Sequence, residues 1–321
     1  MLNIHFLNVG EGDSTLLEWT AGGVTKYALI DTVLEDIGQV EGDLRKCCVD
    51  QLRDKGITEL EFLAITHLHR DHSQALGDVL TQAKPKCFFT SYLPADTALR
   101  APAEPETALP KVKKMAVDLN RYSEWVEQMR LSGTELTAVT ESGVLYDDGT
   151  LRVAFLMPSK CCLRLQNTLF DMILAGQPVP EAVKAQISGM RNNNSLRLRI
   201  SFAGRVFECD GDYYYEDAER EDLEPCDILK VAHHGDMKSM NPKLAEKLSP
   251  AYAVISWSAR YKPEKDRPSM AVTKALRDVG AEVFFTGPRG EPGHPAEDRV
   301  EAVFTVDDDG TVIPPERAYR R

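Results

Sequence analysis

Hydrophobic and polar positions alternate along the first thirty residues with the two-residue period of β-structure. "LNIHFL", "STLLEW" and "TKYALI" are short strand-like runs, and Gly22-Gly23 marks a hairpin turn between the last two. The period then changes. Leu44, Cys47, Cys48 and Leu52 recur at helical spacing until Gly56 stops the run. "EFLAIT" reads as a buried strand, and "SQALGDVL" as the start of a helix with Ala75, Leu76, Val79 and Leu80 on one side. "KPKCFFTSYL" continues the alternation of strand and helix. Residues 95–140 are mostly helical and polar behind the lead-in "APAEPETALP", which predicts a helical insertion near a cleft. "DGTLRVAFLMP" resumes the strands, and 159–190 is a second irregular or helical excursion.

The later part repeats the grammar of the first. "SLRLRISF" alternates strictly, with Leu196, Leu198, Ile200 and Phe202 inward and Arg197 and Arg199 outward, and "GRVFECDGD" forms a hairpin with it. "DILKVAHHG", "AYAVISW", a helix at "PSMAVTKALRDVG" and a strand at "AEVFFTG" follow, and the tail "PPERAYRR" is expected to fray. The pattern is that of an α/β (α+β) chain with two β-then-α halves in one domain spanning 1–321.

Composition narrows the class. With 321 residues, 43% hydrophobic and 27% charged, the chain has the balance of a soluble globular protein. "MLNIHFLNVG" lacks a basic leader region, and no apolar stretch approaches the ~18 residues of a membrane span. Seven cysteines, including the neighbours Cys47-Cys48 and Cys161-Cys162, form no disulfide framework. Reduced thiols in the cytoplasm are the expectation, with no membrane partner. A net charge of −12 argues against coating nucleic acid by bulk electrostatics, so nucleic acid enters only as a substrate. Acidic runs such as "VDDDG" read as solvated surface.

The chemistry gathers in "ITHLHRDHS", at a strand-to-helix turn. In extended chain, side chains at i and i+2 point the same way, so His67 and His69 can grip one ion. Asp71 and His72, where the chain turns into the helix, can face a second ion. Imidazole with carboxylate suits zinc and tolerates manganese or iron. Further ligand types stand at other strand ends: Asp31 after "YALI", Asp212 in "FECDGD", and His233 and His234 after "DILKVA".

This order of Asp31, His67-x-His69-x-Asp71-His72, Asp212 and His233-His234 resembles the metallo-β-lactamase-fold hydrolases over nearly the whole chain. The blocks "LNVGEGDSTLL", "NNNSLRLRISFAGRVFECDGD" and "DILKVAHHGD" look most like the subfamily of the soluble domain of bacterial competence DNA-uptake channels and of phosphorylcholine esterases. The resemblance implies a four-layer αββα sandwich, with helical insertions here, and a dinuclear centre at one edge of its sheets. It implies His67 and His69 on the first metal, Asp71, His72 and His234 on the second, and Asp212 bridging both. His233 would then face substrate, and Asp31 would fix the tautomer of a ligand histidine. The sequence departs from the family at "RNNNS", where many members carry a histidine; Asn193 or Asn194 would be a weak ligand at best. It departs again at Arg267-Pro268-Ser269, where close relatives have His-Pro-Ser, which suggests an anion contact in place of a proton donor.

The expected activity is hydrolysis by two divalent ions, most simply Zn²⁺, with a bridging hydroxide as nucleophile. Asp71, Asp212 and His233 are the catalytic candidates. No GxSxG motif, Ser-His-Asp arrangement or phosphate-loop lysine competes. Arg191, Arg197, Lys238, Arg260, Lys262, Lys265 and Arg267 form a basic rim in an acidic chain, which favours a compact anion, phosphate above all. Lys238, Tyr261, Arg267 and Ser269 are the expected substrate contacts. Pro268 is expected in the first turn of the following helix, so that Arg267 would reach an anion near the helix N-terminus. A phosphodiester is the first reading, a small ester, lactone or thioester the second, and a non-catalytic binding protein the third.

Overall fold

The structure is a computed structural model that describes residues 1–10, 12–34, 44–156, 160–218, 223–257, 267–287, 289–291, 294–297 and 299–317. The opening apolar runs form an antiparallel meander of β1 (Leu2–Leu7), β2 (Thr15–Ala21) and β3 (Val24–Ile30). The chain then alternates as the sequence predicts, through α1 (Cys48–Asp54), β4 (Glu59–Ile65), α2 (Arg70–Ser73), α3 (Leu76–Gln82) and β5 (Lys84–Thr90). A long helix, α4 (Pro110–Leu131), leads into β6 (Glu135–Ala138). Strands β3 to β6 pair in parallel.

The second half begins with β7 (Gly143–Asp147) and β8 (Arg152–Leu156), then α5 (Lys160–Leu174) and α6 (Glu181–Met190). Next come β9 (Arg197–Phe202), β10 (Arg205–Cys209), α7 (Tyr215–Ala218), β11 (Ile228–Lys230), α8 (Pro242–Leu248), β12 (Tyr252–Ile255), α9 (Met270–Asp278) and β13 (Glu282–Phe285). A short ribbon of β14 (Arg289–Glu291) and β15 (His294–Glu297) precedes β16 (Glu301–Val306) and β17 (Val312–Ile313). One sheet runs β17-β16-β1-β2-β3-β4-β5-β6, and the other β13-β12-β11-β10-β9-β8-β7.

Three separate cores show how these sheets are layered. Ile4, Phe6, Leu17, Phe62 and Phe89 from the first sheet pack against Phe155, Leu198, Phe207, Val254 and Phe284 from the second. The opposite face of the first sheet, with Leu16, Leu29, Leu63 and Phe88, is covered by α1, α3, α4, α5 and α6. The opposite face of the second, with Leu229, Ala253 and Val283, is covered by α8 and α9 through Leu244, Leu248, Val272 and Leu276. The result is a mixed α/β fold in four layers, αββα. Among the described residues no helix is long and apolar enough to cross a membrane.

Three expectations need correction. The helix expected as an insertion within 95–140 is the crossover between parallel β5 and β6, and its Val112, Met115, Leu119, Val126 and Met129 belong to the outer core. A parallel pair requires such a crossover, and here the sheet itself supplies the surface that buries it. Arg197 points to the outer face of β9, as its alternation requires, yet it is fully buried. Its guanidinium pairs with Glu208 and Asp210 and lies over the Tyr213 ring, so it does not belong to a solvent-facing basic rim. The tail is held at least as far as Arg317, which donates to the Val283 carbonyl and pairs with Glu282.

Candidate metal centre

The candidate ligands stand at the carboxyl ends of strands from both sheets. Asp31 ends β3, His67 to His72 follow β4, Asp212 follows β10, and His233 and His234 follow β11. The Leu196 amide donates to the Thr66 carbonyl (2.9 Å), joining the two sheets beside the cluster. Gly211 permits the closest approach. Its φ is +55°, and a Cβ there would lie 2.9 Å from Thr66 Cβ and 3.0 Å from Ser195 Cβ. Among the described residues, five non-glycines have positive φ: Asp31, Ala203, His233, His234 and Ser249. Three of the five are in this cluster. Such conformers cost ~1–3 kcal/mol each and persist where the surroundings impose them, often at functional sites. At His233 and His234 the paired left-handed residues turn the chain sharply after β11 and aim both rings at Asp212 and Asp71.

Two groups of ligand atoms result, each within 4.8 Å of one another: His67, His69 and Asp212 in one, Asp71, His72, Asp212 and His234 in the other. Asp212 belongs to both. The hydrogen bonds behind the rings fix which nitrogens face inward. Asp31 receives the Thr66 amide (2.8 Å) and hydroxyl (2.8 Å) and accepts from His72 Nδ1 (2.7 Å). That turns His72 Nε2 towards Asp212 Oδ1, 3.1 Å away. Despite burial, Asp212 and Asp31 hold His72 well above the usual imidazole range, so a metal bound at Nε2 would displace a proton.

The first group carries the sharper constraint. His69 Nε2 faces the Ser188 carbonyl at 3.3 Å, which only an N–H can satisfy, so Nδ1 holds a lone pair. His67 Nδ1 lies 3.1 Å from Ser195 Oγ and 3.2 Å from Thr66 Oγ1. Ser195 Oγ already accepts the Asp212 amide (3.1 Å), and Thr66 Oγ1 donates to Asp31. Ser195 Oγ keeps its own proton, so it can either give one to His67 Nδ1 or take one from it. His67 Nε2 and His69 Nδ1 are 2.9 Å apart. Both nitrogens border the space shared with Asp212, where the three ligand atoms lie within 4.8 Å of one another, a spacing that a cation can occupy.

Electrostatics agree. Burial pushes His67 well below the usual imidazole range, helped by His72, and pushes His69 down to about 3, helped by Arg191. Both rings are neutral, the form that binds metal. Despite burial, His233 and His72 hold the Asp212 carboxyl well below its usual range. Among the described residues, Asp31, Asp71 and Asp212 make ion pairs only with histidines. The buried atoms His72 Nε2, Asp212 Oδ1 and His234 Nε2 make no well-aligned hydrogen bond, although they meet one another and Asp71 at 3.1–3.6 Å. Buried polar atoms rarely go without one, so converging atoms of these types fit a divalent cation. His67, His69, Asp71, His72, Asp212 and His234 would hold it.

The remaining expected residues divide. His233 Nε2 is 3.6 Å from Asp212 Oδ2 and is met by the Asn192 amide (3.2 Å) and by Arg267 Nη2 (2.7 Å). Of the three consecutive asparagines, Asn192 reaches the site through His233. Asn194 is buried and donates to Gln166, while Asn193 lies on the same tight turn. Arg267 also pairs with Asp236 through Nε (2.8 Å), so the edge expected to clamp an anion is already engaged. Ser269 is the N-cap of α9, accepting the Ala271 amide, and its own amide donates to the Gly235 carbonyl (2.8 Å); Pro268 lies before that cap, outside the first turn. Lys238 sits at the rim with Nζ 5.4 Å from the Tyr214 ring. Arg191 is buried and donates to the Leu68 carbonyl. Tyr261, Arg260, Lys262 and Lys265 lie outside the described residues.

Four residues went unnoticed in the sequence: Asn192, Ser195, Asp13 and Lys230. Lys230 Nζ pairs with Asp13 (2.8 Å), whose carboxylate is 3.6 Å from His234 Nδ1. A buried lysine in the strand directly before His233 was the available signal. Substituting Asp31→Asn should weaken metal binding by ~10–100-fold, the usual cost of removing a partner behind a ligand histidine. Chelator-competition titration would measure it, and unchanged affinity would rule out this role for Asp31.

No family model and no curated protein matches the chain. Among solved structures it is similar to the metallo-β-lactamase-fold protein YhfI from Bacillus subtilis, at 13% identity and a TM-score of 0.47, over 89% of this chain and 96% of that one. It is also similar to Igni18, a metallo hydrolase from Ignicoccus hospitalis, at 15% identity and a TM-score of 0.47, over 95% and 100% of the two chains. For the short form of human tRNase Z the values are 13%, 0.40, 98% and 100%. Likeness at this level concerns the fold and brings no activity with it.

Proposed function

We propose that the chain is a metal-dependent hydrolase that holds two divalent ions across Asp212 and cleaves a phosphodiester. The convergence of His67, His69, Asp71, His72, Asp212 and His234, whose ligand atoms form two groups each within 4.8 Å, carries this reading. Sharing of Asp212 by two ligand groups favours a pair of ions over one. When bound, such ions supply Lewis acidity, lowering the pKa of a water and neutralising charge on phosphoryl oxygens.

The protein's own groups divide the remaining work. Asp31, Ser195 and Ser188 orient the ligand rings. Lys238, at the rim, offers a charge to an anionic substrate. His233, held from two sides by Asn192 and Arg267, presents an unprotonated Nε2 beside Asp212; that nitrogen would take up a proton once substrate displaces one of these donors. Arg267 acts through His233, fixing its ring against Asp236. Arg267→Ala should therefore lower kcat by ~1.5–3 kcal/mol in barrier, the scale of a charged hydrogen bond, and leave metal content unchanged. Equal kcat in variant and parent would remove Arg267 from the reaction.

The test is an assay of chelator-stripped protein reloaded with Zn²⁺, Mn²⁺ or Fe²⁺. Bis-p-nitrophenyl phosphate should be hydrolysed only after reloading, with two equivalents of metal bound, while nitrocefin and a thioester should not be turned over. Turnover of either of those without the phosphodiester would overturn the substrate class. Absence of metal binding would overturn the whole reading.

A further inference from the structure

Behind the turn that carries His67 to His72, between α2 and α4, lies a cavity of about 320 Å³ that the reaction above does not use. Leu68 opens onto it, although His67 and His69 on either side turn to the ligand cluster, so the cavity is at the back of that turn. Lys114, Asp118, Arg121 and Trp125 follow one another at helical spacing and line it as one stripe of α4. This is a different stripe from Val112, Met115, Leu119 and Val126, which anchor the helix in the core. Arg70 faces the stripe from α2.

The lining is chemically specific. Among the described residues of the lining, three cations, Arg70, Lys114 and Arg121, meet one carboxylate, Asp118, in a chain whose net charge is −12. Asp118 Oδ2 is buried and has no hydrogen-bond partner; the nearest cation, Arg191 Nη1, is 3.9 Å away. Among the described residues Lys114 makes no ion pair, and Arg121 lies only over the Trp125 ring, 6.0 Å from its centre. Trp125 is held in place by α3, because a Cβ at Gly77 would collide with the indole nitrogen. The cavity thus offers fixed aromatic surface beside a patch of excess positive charge. Its volume is at the low end of the ~300–1,000 Å³ of small-molecule sites, which suits a single nucleotide better than a polymer.

We infer that the α2–α4 cavity binds a small organic phosphate with a planar ring, of the size and chemistry of a nucleoside monophosphate. The phosphate would be held by Lys114 and Arg121 and the ring laid against Trp125. A guanidinium and an ammonium recognise phosphate by charged hydrogen bonds, and aromatic side chains accept any flat base. Arg191 stands between this cavity and the ligand cluster, close to Asp118 on one side and in the field of Asp71 on the other. Binding here requires no metal and does not depend on the proposed hydrolysis.

The experiment is titration of the chelator-treated full chain with adenosine monophosphate, followed by calorimetry and by tryptophan fluorescence. One equivalent should bind and alter the emission of Trp125. Adenosine alone and inorganic phosphate alone should each bind at least about tenfold more weakly, since each lacks half of the contacts. Lys114→Ala and Arg121→Ala, both exposed positions, should each weaken binding by about tenfold or more, the loss of one charged hydrogen bond. Asp118→Asn, which removes the single opposing charge, should bind as tightly or more so. No binding, affinity unchanged in both alanine variants, phosphate binding as tightly as the nucleotide, or loss of binding in Asp212→Asn would each overturn the inference.

Discussion

Asp212→Asn should reduce phosphodiester hydrolysis by at least about a thousandfold, which is ~4 kcal/mol of barrier, while the fold survives. Asp212 is the one residue common to both ligand groups, and its side chain is almost wholly buried between His67, His72 and His233. An amide keeps the shape of the carboxylate. It loses the charge, and it presents N–H₂ where an acceptor is needed, so one substitution injures both halves of the centre. Metal content should fall below two equivalents, with the far-ultraviolet circular dichroism unchanged. Full activity in this variant, with both metals retained, would remove Asp212 as the shared ligand.

Lys230→Met should be the most damaging substitution for stability, at ~3–5 kcal/mol, because it leaves a buried carboxylate without its cation. Lys230 and Asp13 are 1% and 3% exposed, and the ammonium also donates to the Val231 carbonyl (3.0 Å). Urea denaturation of chelator-treated protein would measure the loss free of any contribution from metal. Asp13→Asn combined with Lys230→Met should recover part of it, since no charge is then stranded. The pH dependence has a definite sign. In the parent, burial would raise the Asp13 carboxyl, but Lys230 and His234 hold it below its usual value. That pairing stabilises the fold above the unfolded-state pKa, and the benefit disappears as pH falls through the folded-state value. The deficit of Lys230→Met should therefore shrink in acid. A deficit independent of pH would mean that the packing of the lysine stem, and not the pair, had been lost.

The candidate ligands were legible in the sequence because they are local. His67 to His72 occupy one turn, and Asp31, Asp212 and His233-His234 each follow an apolar run that could only be a strand. Periodicity reports which way a side chain leaves its strand but not what lies over that face. Arg197 shows the difference: it leaves the outer side of β9 as expected, and Tyr213, Glu208 and Asp210 close over it. Three identical asparagines give no cue to which one the turn will aim inward, so Asn192 emerged only from the backbone. The partners of Arg267 depend on tertiary contact with Asp236 and His233, which are more than thirty residues away. The Pro-rich lead-in to α4 suggested an excursion from the fold, because one stripe of that helix is polar and its apolar stripe is needed to see it as a crossover.

The candidate ligands are contributed by both sheets, and this has a bearing on how the chain reaches its native state. The first sheet carries His67, His69, Asp71 and His72, and the second carries Asp212 and His234. Neither half owns a complete coordination set. An ion can be captured only after two separately hydrogen-bonded sheets have met face to face and in the correct alignment. Once captured, it ties together segments roughly 145 residues apart in the chain, from His67 to Asp212, and would resist their parting as a clasp does. Uptake of metal during refolding would then be a clock for the joining of the two halves, later than the formation of either.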